Sequence, residues 1–289
     1  GNVIGHIKGK NPGPKVLFDG HIDTVPVGNL KDWKHDPFHA VVEDGKLYGR
    51  GAADMKGAVA AFTVAAHRYA VENGKNFAGD VYVAGVVHEE CFEGVAARKI
   101  SEKVKPDYVV IGEASEMNLK VGQRGRAEIV VETFGVPAHS ANPERGVNAV
   151  YKMCEAIQAI REIEPPVQDK LGKGILELTD VKSSPYPGAS VVPEYCRATY
   201  DRRLLVGETK ESVLQPIIEK MEELKKKDPQ FSYKVSYAVG KEKCYTGEEI
   251  QGERFFPGWL FGAEEEWVAK IKSELEKEGF SPEVTTYNF

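Results

Sequence analysis

The sequence is short of several things, and each shortage removes a class of protein. No apolar run approaches the ~20 residues that a membrane span requires. Four cysteines, at 91, 154, 196 and 244, form no short-spaced pair, so neither a zinc ribbon nor a disulfide framework is indicated. A reducing compartment, the cytoplasm, is the expectation that follows. Basic residues number 38 against 44 acidic ones, for a net charge of −6, and they form no clustered stripe. That balance gives no support for a nucleic-acid partner. There is no internal repeat and no low-complexity segment. The chain has no initiator methionine, and no histidine follows His139. Strand-like sequence at both ends adds to the expectation of a fragment of something longer.

What remains is ordinary for a globular protein: 289 residues, 42% hydrophobic and 28% charged, enough for one large domain or two smaller ones. Over residues 1–121, apolar strands alternate with helices. Strands are predicted at 3–8, at 15–23 after the turn "GKNPGPK", at "GDVYVAGVVHEE" and at "DYVVIGEASE". "HAVVEDGKLYG" reads as a hairpin turning at Asp44 and Gly45. Helices are predicted at 58–72, stopped by Gly74, and at "GVAARKISEKV". This alternation predicts an α/β fold with a largely parallel sheet covered on both faces. Residues 122–239 read differently. Alternating strands and two helices, at 148–164 and 209–227, follow the order β-α-β-β-α-β of a ferredoxin-like domain. Val150, Met153, Cys154, Ile157 and Ile160 stand at helical spacing in the first helix, and Pro216 interrupts the second. Residues 240–289 are expected to return to the first domain through a helix closed by Gly279.

The charged residues of the first domain fall in a pattern. The apolar run Val16, Leu17, Phe18 leads into His21 and Asp23, the next strand into Glu89 and Glu90, and a third into Glu113. Asp54 sits in the Gly-rich loop "GRGAADMKG" before a helix. In open parallel sheets, ligands bind in the crevice at the carboxyl ends of strands. Carboxylates gathered there repel one another, so a bound cation is the economical explanation. One imidazole with three or four carboxylates suits Zn²⁺, and tolerates Co²⁺ or Mn²⁺. His21 and Asp23 lie two apart on one face of a strand, so the Asp23 carboxylate is expected to take the spare N–H of His21. Glu89 and Glu90, on an extended segment, are expected to point opposite ways, one to metal and the other free to move a proton. Blander readings stand beside these. "HID" also suits a satisfied histidine, and "HEE" a solvated turn. "GRGAADMKG" also suits a phosphate-cradling turn, although it lacks the G-K-[ST] ending of a Walker loop. The loop around His139 has, from its residues alone, no assigned task.

Taken in order, "GHIDTVPVG", "LYGRGAADMKGAVAA", "EE", "IGEAS" and "GVPAHSANPERGVNA" resemble the co-catalytic zinc amidohydrolase and exopeptidase family. That family includes aminoacylase, acetylornithine deacetylase, succinyl-diaminopimelate desuccinylase and carboxypeptidase G. The resemblance implies two divalent ions, one held by His21, Asp54 and Glu113, and a second by Asp54 and Glu90. It implies Glu89 as general base, with Asp23 supporting His21 and a cis peptide after Asp54. It makes residues 1–121 and 240–289 the catalytic domain and the βαββαβ section a lid that dimerises. His139 would reach a partner's site and stabilise the oxyanion, while Arg203, in "DRR", and Asn148 would bind substrate. The implied reaction is hydrolysis of the amide of a small N-acyl amino acid or dipeptide-like substrate, with no membrane or nucleic-acid partner. The family's second metal also needs a histidine near the carboxyl terminus, so the chain as given is expected to be weak or inactive. "GQRG" at 122–125 replaces the Gly-Arg-Arg-Gly of the desuccinylase branch and argues against diaminopimelate. The alternative is a metal-containing dimer that binds peptides or amino acids without cleaving them.

Overall fold

The computed structural model describes residues 1–287. By contact, the chain divides into two compact units. The first is Gly1–Met117 with Gly240–Gly252; the second is Asn118–Val239 with the segment from Glu253 onward.

In the first unit, β1 (Val3–Lys8), β2 (Asn11–His21), β3 (Ala78–Val86) and β4 (Tyr108–Ile111) form one sheet in the order β1-β3-β2-β4. β2 runs parallel to both β3 and β4, and β1 is antiparallel on β3. Parallel neighbours require crossovers, and α1 (Gly57–Glu72), with the shorter α2 (Glu89–Phe92) and α3 (Val95–Val104), lies in them. β2 starts earlier than the turn-like "NPGP" suggests. Its ladder to β3 skips from Asn11 to Lys15, so neither Pro12 nor Pro14 is asked for an N–H. β3 ends at Val86, four residues short of the strand predicted to run to Glu90. The cause is His88, whose backbone enters the left-handed region at φ 59° and starts a helical turn.

α1 lies hard against the carboxyl ends of β2 and β4, and two glycines permit it. A Cβ on Gly112 would stand 2.5 Å from the Ala58 Cβ and 2.7 Å from the Phe62 ring; one on Gly20 would stand 2.7 Å from a Val59 methyl. Ala58 cannot yield without moving the helix. Gly112→Ala is therefore expected to destabilise the protein by about 1–3 kcal/mol, the usual cost of overpacking. Denaturant unfolding monitored by circular dichroism checks this, and an unchanged midpoint would contradict the close approach.

The second unit is built on an antiparallel sheet of β5 (Gly125–Phe134), β6 (Ile175–Ser184), β7 (Tyr195–Leu204) and β8 (Ser232–Tyr237), in the order β6-β7-β5-β8. With α4 (Ala149–Arg161) and α5 (Lys210–Lys227) the chain order is β-α-β-β-α-β. Ala149, Met153, Ala156 and Ile160 make the buried stripe of α4, packed with Ile217 and Met221 of α5 over Ile129, Val131, Ala198 and Leu204. Cys154, placed in that stripe by spacing alone, faces outward instead, one position off the 3.6-residue period. α5 opens on a capping box between Thr209 and Ser212 and runs unbroken through Pro216, which removes only one N–H from the ladder.

Beyond Glu253 the chain pairs with the second unit. Phe255–Phe256 joins β5, Trp259–Leu260 joins Gly122–Gln123, and Val284–Thr285 runs parallel to Leu119–Lys120. A further helix, α6 (Glu266–Lys277), ends before Gly279, which takes φ 88°. Only Gly240–Gly252 of the terminal segment clusters with the first unit, whereas sequence reading assigns all of 240–289 to it. The strand expected over 284–289 is present at Val284–Thr285; Asn288 and Phe289 lie outside the described residues. Among the described residues, no helix is long and apolar enough to cross a membrane.

Candidate metal centre

His21 closes β2 and is 2% exposed. Its Nδ1 lies 3.0 Å from the backbone oxygen of Asp23. A carbonyl can only accept, so Nδ1 carries the proton and Nε2 presents a lone pair. That lone pair faces two carboxylates, Asp54 Oδ1 at 2.8 Å and Glu113 Oε1 at 3.4 Å. A lone pair facing acceptors demands a positive charge between them, either a proton or a metal ion. In the protein alone the proton serves. Burial pulls the His21 pKa down, but the bond to Asp54 and the charges of Glu113 and Glu89 outweigh it, and the net shift is upward.

The three donors arrive from three elements. Asp54 stands in the turn Ala52–Lys56 ahead of α1, with non-helical backbone angles and a cis peptide to Met55. Glu113 follows β4 by two residues. One ligand atom from each of His21, Asp54 and Glu113 falls within 4.8 Å of the others, so the group could hold a metal ion. An imidazole nitrogen with two carboxylate oxygens is a donor set that Zn²⁺, Co²⁺ and Mn²⁺ accept. Gathering these acids in one buried place shifts their titration. Burial raises the Glu113 pKa, with Asp54 and Glu90 adding to it and His21 opposing. Burial likewise pushes Glu89 up to about 7, opposed by His21 and reinforced by Glu113, Glu90 and Asp23.

Glu89 Oε2 lies 4.0 Å from His21 Nε2. Glu90 stands beside it on α2, outside the three-residue group, with Oε1 accepting the Val25 N–H at 3.2 Å. The two acids are not on an extended segment as sequence reading expects. They open a helical turn, where neighbours diverge by roughly 100° instead of 180°. Asp23 also differs from expectation. Its Oδ1 is 3.7 Å from His21 Nδ1, too far for a hydrogen bond, and its backbone oxygen takes that N–H. The carboxylate turns instead to α2 and accepts the amide N–H of Glu89 at 3.2 Å and of Glu90 at 3.1 Å.

Three expected site residues belong to the second unit. His139 is exposed, and its Nδ1 accepts the Ala141 N–H at 3.1 Å. Asn148 caps α4, its Oδ1 accepting from Val150 and Tyr151. Arg203 donates through Nε to Asp201 Oδ1 at 2.7 Å, while Asp201 Oδ2 accepts from Arg126 Nε at 2.9 Å. Sequence reasoning missed two neighbours of the α2 turn. His88 Nδ1 lies 3.6 Å from Cys91 Sγ, and its Nε2 lies 3.4 Å from Cys244 Sγ. Cys244 is 156 residues away along the chain, and no local pattern signals that pairing.

Metal uptake by the metal-free protein is expected to strengthen as pH rises. His21 and Glu113, both shifted upward, must lose their protons to ligate, so binding releases protons. Titration calorimetry in buffers of different ionisation enthalpy measures that release. Tighter uptake at lower pH would contradict the ligand assignment.

Comparison with known proteins points the same way. The sequence pattern of peptidase family M20/M25/M40 matches residues 17–287. The Escherichia coli K12 protein YgeY is 33% identical over 269 residues, covering 90% of this chain and 63% of YgeY. The succinyl-diaminopimelate desuccinylase of Marinobacter nauticus is 33% identical over 222 residues, covering 73% of this chain and 58% of that enzyme. The chain thus spans less than two thirds of the length of these relatives. The crystal structure of aminopeptidase PepT from Bacillus cereus matches with a TM-score of 0.66 at 21% identity, covering 100% of this chain and 71% of that one. At that identity the likeness is one of fold.

Proposed function

Because the chain belongs to peptidase family M20/M25/M40, we propose that it serves metal-dependent hydrolysis of the amide bond in a small N-acyl amino acid or dipeptide-like substrate. One observation carries the reading: His21 Nε2, Asp54 and Glu113 converge within 4.8 Å, with Glu89 beside them. His21, Asp54 and Glu113 would hold one divalent ion, and Asp54 with Glu90 a second; zinc is the proposed metal, with cobalt or manganese as substitutes. A bound ion would supply Lewis acidity, lowering the pKa of water toward ~7 and polarising the scissile carbonyl.

The protein's own groups do the rest. Glu89 removes a proton from the attacking water and passes it to the leaving amine nitrogen, a role suited to a carboxylate whose pKa stands at about 7. The backbone carbonyl of Asp23 keeps the His21 proton on Nδ1, so that Nε2 remains a donor atom for metal. On the second unit, the Ala141 N–H occupies His139 Nδ1, which assigns the ring proton to Nε2. That N–H would donate to the oxyanion, across a homodimer formed through the βαββαβ unit. Asp201 holds the Nε edge of Arg203, whose remaining N–H groups would take a substrate carboxylate, and the side-chain amide of Asn148 would add a polar contact.

The test is a screen of acetyl-, succinyl-, formyl- and aminoacyl-amino acids against the full-length protein loaded with metal. Amine release that chelation abolishes, and that zinc or cobalt restores, is expected. Tight metal binding with no cleavage of any compound would favour a binding protein instead.

A further inference from the structure

The helix that carries Glu89 and Glu90 cannot hold itself. α2 is four residues long, closed by a bond from Glu93 N–H to Glu89 O at 2.7 Å. Isolated helices far longer than this are marginal in water. Contacts from the rest of the first unit fix it. Phe92 is 1% exposed and is clasped by the segment after Val239: a Cβ on Gly240 would stand 2.3 Å from its ring. His88, just before the turn, sits between the thiols of Cys91 and Cys244. These contacts anchor the ends of the turn. Among the described residues, the amide N–H groups of the two acids meet the side chain of Asp23, whose two oxygens take one N–H each.

This arrangement has a cost, because the Asp23 carboxylate is brought toward two further carboxylates of the same sign. The two amide bonds offset that repulsion, since hydrogen bonds to an ionised acceptor are the stronger kind. Nothing comparable links the same carboxylate to His21, which lies 3.7 Å off and already has a partner in the backbone oxygen.

We propose that Asp23 is a positioning residue for Glu89 and Glu90: its carboxylate grips both of their amide N–H groups and aims the two acids, while its backbone carbonyl alone sets the His21 tautomer. The proposal deepens the reading of Glu89 as base and Glu90 as ligand, and rests on it. Its test needs neither metal nor substrate, so a failure of the hydrolase reading is seen separately, as absence of amide cleavage.

The experiment is nitrogen-15 spectroscopy of the full metal-free chain as wild type, Asp23→Asn and Asp23→Ala. In the wild type, the Glu89 and Glu90 amides should resonate downfield and be protected from exchange. Asp23→Ala should move both upfield and speed their exchange roughly tenfold or more. Asp23→Asn, which keeps the shape but offers one acceptor oxygen, should release one of the two. The His21 Nδ1–H, bonded to the Asp23 backbone oxygen, should keep its chemical shift throughout. Should Asp23→Ala fail to fold, the near-isosteric Asp23→Asn carries the comparison, and the wild-type protection stands as a check on its own. Unprotected wild-type amides, Glu89 and Glu90 resonances indifferent to both substitutions, or a His21 Nδ1–H shift that follows the Asp23 side chain would overturn the proposal.

Discussion

In the full-length protein, Glu89→Gln is expected to keep its metal and lose turnover by about 10²–10⁴-fold, the range typical of a general base. Glutamine matches glutamate in shape, so packing around the α2 turn is preserved. What disappears is the ability to take a proton. Glu89 is suited to that task by its surroundings: burial first, then the charges of Glu113, Glu90 and Asp23, carry its pKa to about 7 against the pull of His21. A nearby cation would favour the ionised form and draw this value down. The acid limb of the activity profile should therefore fall below pH 7, with activity rising as pH increases. Glu89 lies outside the group of His21, Asp54 and Glu113, so the substitution removes no ligand and metal affinity should fall only modestly. Metal content by atomic emission, set against kcat/KM on the same samples, separates the two effects. Full metal with near-normal turnover would place the base elsewhere.

His21→Ala should have the opposite signature, with the metal lost first. Second-rank partners behind a ligand already cost 10- to 100-fold in affinity when removed, and a direct ligand should cost more. The substitution also opens a cavity at a site 2% exposed, and it removes the cation that offsets Asp54, Glu113 and Glu89. A stability loss of about 2–3 kcal/mol is expected in the metal-free protein. Its pH dependence has a definite sign. Glu89 has a folded-state pKa of about 7, so the native state holds more protons than the unfolded chain between about 4.5 and 7, and Glu113, also shifted upward, adds in the same direction. Their contribution is present below that window and is lost as pH rises through it. Without His21 to oppose them, both shifts grow. The Tm of metal-free His21→Ala should fall between pH 5 and pH 7.5. A Tm that climbs across that range would mean the acids have found another cationic partner.

Much of this centre was legible before any coordinates, for a physical reason. A charged residue directly after a run such as Val16, Leu17, Phe18 is expensive unless something receives it, and parallel strands deliver their carboxyl ends to one place. That logic brings His21 and Glu113 together; Asp54 lies in a Gly-rich loop, and the resemblance to a known family is what joined it to them as ligands of one ion. The parts that were not legible depend on single hydrogen bonds or on distant chain. Whether "HEE" ends a strand or starts a helix is decided by the φ of His88 and by the Asp23 carboxylate 66 residues earlier. Period-two reasoning put that carboxylate on the histidine, because it cannot tell a side-chain acceptor from the backbone oxygen of the same residue. Pro12 and Pro14 suggested a turn where a skipped ladder rung lets the strand continue. The partners of 253–289 were beyond reach for another reason: Phe255–Phe256 and Val284–Thr285 are two-residue pairings, too short to leave a periodic signal.

Glu113 follows His21 by 92 residues, and Asp54 stands between them, so the three are strangers until β2, β3 and β4 lie side by side. Long-range parallel pairing is among the slower events of folding. A divalent ion can therefore stabilise this protein only by binding the finished sheet, through mass action, and has no small preformed loop around which to nucleate it. In this respect the chain is the reverse of a zinc finger, whose peptide takes shape only around its metal. Scarcity of the ion should leave behind a population of correctly shaped, metal-free molecules that take up fresh cation without refolding.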